Sequence, residues 1–253
     1  MNKNRIAPVV IAFLTVSALI AAVGPLPARA EDKKKPDSTV KIFVEYKLAK
    51  DGILTNDNIK VGVANRMITL SGTVATLHDR VEAAKEAHNV CDDYQVVNDI
   101  SVSAPQVPDS ALAAAVLKRV ENHVFYTVFD WLTVGAKNGV VTLHGWVDNP
   151  WEVGQYESEA ARVPGVKRIV NELKREISFG YLRYRVARLI YDDPFFWQYS
   201  MELNPPIHVI VNNDKVILEG YVNSMGERGY LSSQVRFRTD AISVVNNLQV
   251  LSD

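Results

Sequence analysis

One seven-residue pattern occurs three times in this chain, as Ile68-Thr69-Leu70-Ser71-Gly72-Thr73-Val74, Val141-Thr142-Leu143-His144-Gly145-Trp146-Val147 and Val216-Ile217-Leu218-Glu219-Gly220-Tyr221-Val222. Its glycines stand 73 and then 75 residues apart. Seven residues before each glycine is an asparagine (Asn65, Asn138, Asn213), and 26 residues after each is another (Asn98, Asn171, Asn246). Two landmarks at fixed offsets in three places mark a structural repeat, so the chain reads as one small module built three times.

Each module opens with an amphipathic helix. Val40, Val44 and Leu48, then Leu112, Val116 and Val120, then Leu182, Val186 and Ile190 recur at i, i+4, i+8. Ser38 and Asp109 are the expected N-caps of the first two. A hairpin follows. Asn138-Gly139 tolerates the positive φ of a type I′ turn, and centring the turn there sets Ala136 against Val141 and Val134 against Leu143. The same construction pairs Val63 with Ile68 and Val61 with Leu70, and Val211 with Val216 and Val209 with Leu218. All three hairpins then have one wholly apolar face, which is the core face. A second helix follows, with Asn149-Pro150 as the expected N-cap and first residue in the second module. A third strand closes each module.

The expected fold class is α+β, with three tandem α-β-β-α-β modules, each a three-stranded mixed sheet carrying two helices on one face. Their bounds are 38–103, 109–177 and 180–252, the last with an insertion near 192–206. Gly72, Gly145 and Gly220 fall on the core-facing parity and are read as structural, each admitting a helix or the partner asparagine close to the backbone. Asn98, Asn171 and Asn246 share that parity and need hydrogen-bond partners.

The Val-Thr-Leu-x-Gly-x-Val core, together with Val163-Pro164-Gly165-Val166-x-x-Ile169-Val170-Asn171-x-Leu173 in the second module, resembles the BON domain (bacterial OsmY and nodulation domain). The third module departs from the pattern, with five extra residues before its glycine and an Asn-Asp turn. The resemblance implies an α-β-β-α-β fold, a cell-envelope location and a role in osmotic or envelope stress. It also implies binding of anionic phospholipid or of periplasmic client proteins, and it brings no catalytic residues.

Residues 1–30 have the three parts of a cleavable secretory signal: Lys3 and Arg5, the apolar run from Pro8 to Val23, and Ala28-Arg29-Ala30. The run is too short to span a bilayer, so the expected location is the periplasm, with no transmembrane helix in the mature protein. Without those residues the chain holds 25 Lys+Arg against 29 Asp+Glu, a balance that argues against a nucleic-acid partner. Cys91 is the single cysteine and closes no internal disulfide.

Chemistry-bearing motifs are absent: there is no phosphate loop, no His-Glu-x-x-His and no Gly-x-Ser-x-Gly elbow. His88-x-x-Cys91-Asp92-Asp93 is the one grouping with metal-like composition, but it does not recur in the other modules, and a histidine at a helix C-terminus explains His88. Asp79, Glu152 and Glu227 each lie seven residues after the glycine, where carboxylates suit a helix start. The expectation is a non-enzyme without metal or cofactor.

Two surface features stand out. One is a basic stretch with Arg162, Lys167, Arg168, Lys174 and Arg175 as a patch, continued by Arg183, Arg185 and Arg188. The other is aromatic. Tyr181, Tyr184, Arg185, Arg188 and Tyr191 form a stripe beside the core face of the third module's first helix, and Phe195, Phe196 and Trp197 follow. Rings among headgroups and arginines on phosphates suit peripheral contact with anionic phospholipid. The competing reading is packing between modules, because Ile210, Ile217 and Tyr221 leave the third module's outer sheet face apolar and Trp131, Trp146 and Trp151 are available to cover it. A chaperone or adaptor without lipid contact is the alternative function.

Overall fold

The computed structural model describes residues 35–54, 58–103, 105–175 and 181–251. The leader expected over 1–30 lies outside them, as do the module bounds at 177, 180 and 252.

The order α-β-β-α-β occurs three times. The first module comprises α1 (Asp37–Lys50), β1 (Ile59–Ala64), β2 (Met67–Val74), α2 (Leu77–Val90) and β3 (Gln95–Val102). In the second are α3 (Asp109–Glu121), β4 (Trp131–Lys137), β5 (Val140–Val147), α4 (Glu152–Ala161) and β6 (Arg168–Arg175). The third has α5 (Leu182–Tyr191), a short α6 (Trp197–Ser200), β7 (Ile207–Asn212), β8 (Lys215–Val222), α7 (Met225–Arg238), β9 (Ser243–Asn246) and β10 (Gln249–Val250). In each sheet the middle strand runs antiparallel to its hairpin partner and parallel to the last strand. The third module splits that last strand into β9 and β10.

The hairpin registers are those derived from the turns: Val63 faces Ile68, Ala136 faces Val141 and Val211 faces Val216. Both turn residues have positive φ in every hairpin, including the non-glycines Arg66 and Asp214. A type I′ turn demands this, because it matches the twist of the strands it joins. The inner positions of the first helices are fully buried in all three modules, apart from Leu112 and Leu182, which are nearly so.

The repeated glycines are close-approach sites, but the neighbour is not a helix or the asparagine. A Cβ on Gly72, Gly145 or Gly220 would stand 2.1, 1.9 or 1.8 Å from the carbonyl oxygen of Asn58, Trp131 or Pro206, where the hairpin's own first strand begins. Their φ angles of +123°, +132° and +105° are ones that only glycine adopts freely. Each repeated asparagine clamps its third strand to its second helix. The side-chain amides of Asn98, Asn171 and Asn246 donate to the carbonyls of Arg80, Val153 and Arg228 at 2.7, 3.0 and 2.9 Å. Their Oδ1 atoms accept from Ile100, Leu173 and Leu248 two residues on.

Three helix starts differ from the sequence reading. Prolines 36 and 108, not Ser38 and Asp109, precede α1 and α3. Asp109 instead accepts the Asn138 N–H at 2.8 Å and ties the hairpin turn to α3. At α4 the capping runs backwards: Trp151 is the N-cap residue, and the buried Glu152 accepts the backbone N–H and side-chain amide of Asn149 at 2.7 and 3.1 Å.

Candidate functional site

Helix α5 buries Leu182, Val186 and Ile190 and leaves Tyr181, Tyr184, Arg185 and Arg188 exposed. The chain then turns through Asp192-Asp193-Pro194. Asp193 holds that turn, its Oδ1 accepting the Phe195 N–H at 2.9 Å and its Oδ2 accepting the Tyr230 hydroxyl at 3.0 Å. The tight turn sends consecutive aromatics in different directions. Phe195 and Trp197 remain 52% and 62% exposed, whereas Phe196 is fully buried beside Tyr199 and Tyr230. Tyr191 is also drawn inward, its hydroxyl donating to the carbonyl of Ile207. Phe196 and Tyr191 are therefore parts of the module's frame and not an exposed stripe.

Tyr199, which the sequence reading passed over, shows how far this insertion is built into the core. Its hydroxyl donates to Glu227 at 2.7 Å and accepts the Asn223 N–H at 2.8 Å. Burial, and then the bond to Glu227, push that phenol up to about 12. Glu227 in turn closes a capping box with Ser224 at the start of α7.

Between α5, the turn and the end of α7 lies a cleft of about 460 Å³ lined by Arg185, Arg188, Leu189, Asp192, Asp193, Pro194 and Arg238. A second hollow of about 400 Å³ shares Asp192, Asp193 and Pro194 and ends on Trp197 and Tyr191. Arg185 pairs with Asp240 at 2.8 Å and Arg188 with Asp192 at 3.2 Å. Three guanidinium groups thus adjoin an exposed aromatic corner.

The basic stretch does not form one patch. Arg162 ends α4 and pairs with Glu159 at 3.4 Å. Lys167 lies in the turn before β6 and lines a hollow with Arg80 and Asn98 of the first module. Arg168, Lys174 and Arg175 are exposed along β6, where Lys174 sits over the Trp146 ring at 5.6 Å. Strand alternation puts Arg175 on the opposite parity from Arg168 and Lys174. Arg183 is largely withdrawn from the surface, pairing with Asp148 of the second module and stacking on Phe129 and Tyr184.

That last contact belongs to a seam between the second and third modules. Of the three tryptophans offered as cover, Trp131 meets His208 of β7 at 5.0 Å between ring centroids, whereas Trp146 and Trp151 contact Lys174 and Phe125 within their own module. Ile210 is fully buried, and the Val209 N–H bonds Val128 O at 2.7 Å. Among the described residues, no group of three or more His, Cys, Asp or Glu could hold a metal, and no helix is long and apolar enough to cross a membrane.

Comparison with known proteins bears on the repeat. A protein from Anaplasma centrale described as "Uncharacterized protein in gshII 5'region" is 26% identical over 144 residues, which is 54% of this chain and 93% of that protein. The C-terminal domain of CdsD, a structural protein of the type III secretion system of Chlamydia trachomatis, aligns over 83% of this chain and 96% of its own at 12% identity and a TM-score of 0.25. A second CdsD structure gives 14% and 0.24. At those scores the likeness carries no inference about role. The BON domain model matches residues 37–104 and 108–176, the first two modules and more than half of the chain. With its hairpin, glycine and asparagine geometry repeated across those two ranges, the chain belongs to the BON domain family.

Proposed function

We propose that this is a non-enzymatic, periplasmic envelope protein that attaches peripherally to anionic phospholipid through its third module, in a role tied to osmotic or envelope stress. On this reading residues 1–30 are removed on export, and residues 180–252 are a divergent third BON copy. Three features support the third copy: the element order, the positive φ of Gly220 and the Asn246 clamp. The observation that carries the lipid reading is the contiguity of the Arg185, Arg188 and Arg238 cleft with Phe195 and Trp197 across the Asp192–Pro194 turn. Arginines draw the module to phosphate headgroups at about 1 kcal/mol each near a charged surface. Two partly inserted rings add apolar burial at about 25 cal/mol per Å².

Sedimentation of residues 31–253 with vesicles tests this. Binding is expected to vesicles rich in phosphatidylglycerol, to weaken with added salt, and to be absent with neutral vesicles. Changing Phe195 and Trp197 together to Ser should abolish it. No binding of the unaltered protein to anionic vesicles at low salt rejects the lipid reading, and suppression of client aggregation would then favour a chaperone or adaptor.

A further inference from the structure

Buried polar groups concentrate at the seam. Asp130, at the end of the loop before β4, has no accessible surface. Its carboxylate accepts the Thr127 N–H at 2.9 Å, the Thr127 hydroxyl at 3.0 Å and the Asp148 N–H at 3.1 Å. Facing this loop from the third module is His208, 6% exposed, with its ring against Tyr126 at 5.7 Å and Trp131 at 5.0 Å. The carbonyls of Thr127 and Asp130 face the imidazole, and its Nδ1 has no partner. The seam also holds the Val209–Val128 backbone bond and the Arg183–Asp148 pair.

We propose that this seam is an acid-labile latch, in which neutral His208 holds the third module against the second and protonation of that imidazole releases the third module as a folded body. Burial is what disfavours the charged ring: it holds His208 down to about 4, from an ordinary value near 6.5, against the carbonyls of Asp130 and Thr127, which favour the imidazolium. The ionisable groups around it offer an imidazolium little. Burial raises the phenols of Tyr126 and Tyr156, which stay neutral. Glu152 is spent on capping Asn149. Glu219, opposite His208 across the hairpin, accepts from Asn247 at 2.7 Å. Glu121 bears on Tyr126 from the end of α3. Burial pushes Asp130 up to about 7, so its negative charge is lost before the imidazole titrates.

The sign follows from proton binding. Between pH 6.5 and 4 an undocked His208 carries a proton that the docked one excludes, so acidification favours opening, by roughly tenfold per pH unit and roughly 300-fold across the window. Asp130 acts in the opposite sense, because its buried form takes up a proton below about pH 7. That uptake comes from burial and not from the Thr127 and Asp148 hydrogen bonds, which favour the charged carboxylate, so whatever part of the burial the third module supplies offsets part of the His208 effect.

Small-angle scattering of residues 31–253 from pH 7.5 to 4, with circular dichroism in parallel, tests the latch. The radius of gyration should rise reversibly below pH 6.5 with secondary structure retained. His208→Phe, which fills the slot with a ring that does not titrate, should stay compact throughout. If His208→Phe is already extended at pH 7.5, His208→Gln takes its place under the same criterion. The His208 ring resonance in the unaltered protein needs no variant, and it should remain that of a neutral imidazole until the protein extends. A protein compact at pH 4.5, a non-titrating variant that opens over the same pH range, or a ring that titrates near 6.5 inside the compact form would each overturn the proposal.

Discussion

Strands β4 and β7 hold the same place in successive modules, and they are buried differently. Their inner residues correspond: Leu132, Val134 and Ala136 in one, Ile207, Val209 and Val211 in the other, each paired with the same positions of the following strand. Their outer residues do not. Thr133 and Gly135 of β4 are exposed, whereas His208 and Ile210, at the same registers of β7, are buried. The first module resembles the second here, with Lys60 and Gly62 exposed. The inner face therefore builds a module, and the outer face decides what the module packs against. A sheet buried on one side reads as alternating, and one buried on both reads as continuous. His208 and Ile210 mark the outer face of β7 as the side that meets the second module, where Trp131 lies against the His208 ring.

The largest expected effect falls in a core position that the two modules share. Phe196 stands where Tyr126 stands in the second module, each buried and each following a turn at the end of its first helix, where Phe196 N–H bonds Asp193 O and Tyr126 N–H bonds His123 O. Phe196→Ala should destabilise the third module by about 3–5 kcal/mol, read by chemical denaturation. A loss below about 1 kcal/mol would show that this aromatic position does not carry the third module's core and that the two modules do not share one plan here. Next come the glycines, where the modules should behave alike. Gly145→Val and Gly220→Val each press a Cβ onto a carbonyl oxygen at a φ hostile to side chains. Each should cost about 2–4 kcal/mol from overpacking and strain together. Unequal losses would mean that the seam, and not the hairpin, sets the cost.

Much of this plan is legible in the sequence. Turn asparagines at a fixed offset set the hairpin registers, because a one-residue slip would turn every core side chain outward. The structural asparagines were found by the same parity, since a polar residue on a core face has to be bonded. The seam was legible only as an unmet need. Ile210, Ile217 and Tyr221 call for cover and Trp131 is among the rings the sequence offers, but nothing in the chain says that Trp131 and Tyr126 meet His208 or that Val128 bonds Val209, because those contacts depend on how one folded module meets another. The aromatic corner failed for a local reason. Three consecutive rings look like one surface in sequence, and a tight turn anchored by Asp193 separates them into one buried and two exposed.

The seam itself should be worth less than either core. Arg183 is the third module's charged contact with Asp148, and it also stacks on Phe129 and Tyr184. Removing it strands a half-buried carboxylate, so Arg183→Ala should weaken docking by about 1–2 kcal/mol while leaving each module folded. Faster amide exchange at Val209, with the α5 and α7 amides unchanged, would show the loss. Simultaneous loss of protection in α5 would mean instead that the third module cannot stand without the second.

The smallest expected effect is the one on which the proposed lipid contact turns. Phe195 and Trp197 project from the corner that Phe196 anchors, and the rings nearest Phe195 are Phe196 and Tyr230, at 5.3 and 5.1 Å. Replacing both with Ser removes exposed apolar surface and little packing, so stability should change by no more than about 0.5 kcal/mol each, the range of ordinary surface substitutions. Phe196→Ala, one residue away from both, sits at the other end of the scale. That contrast makes the pair interpretable: a loss of vesicle binding in a variant with an unchanged denaturation curve can be assigned to the surface. If the double variant instead loses several kcal/mol, its rings belong to the core with Phe196, and the third module's exposed face is reduced to its arginines.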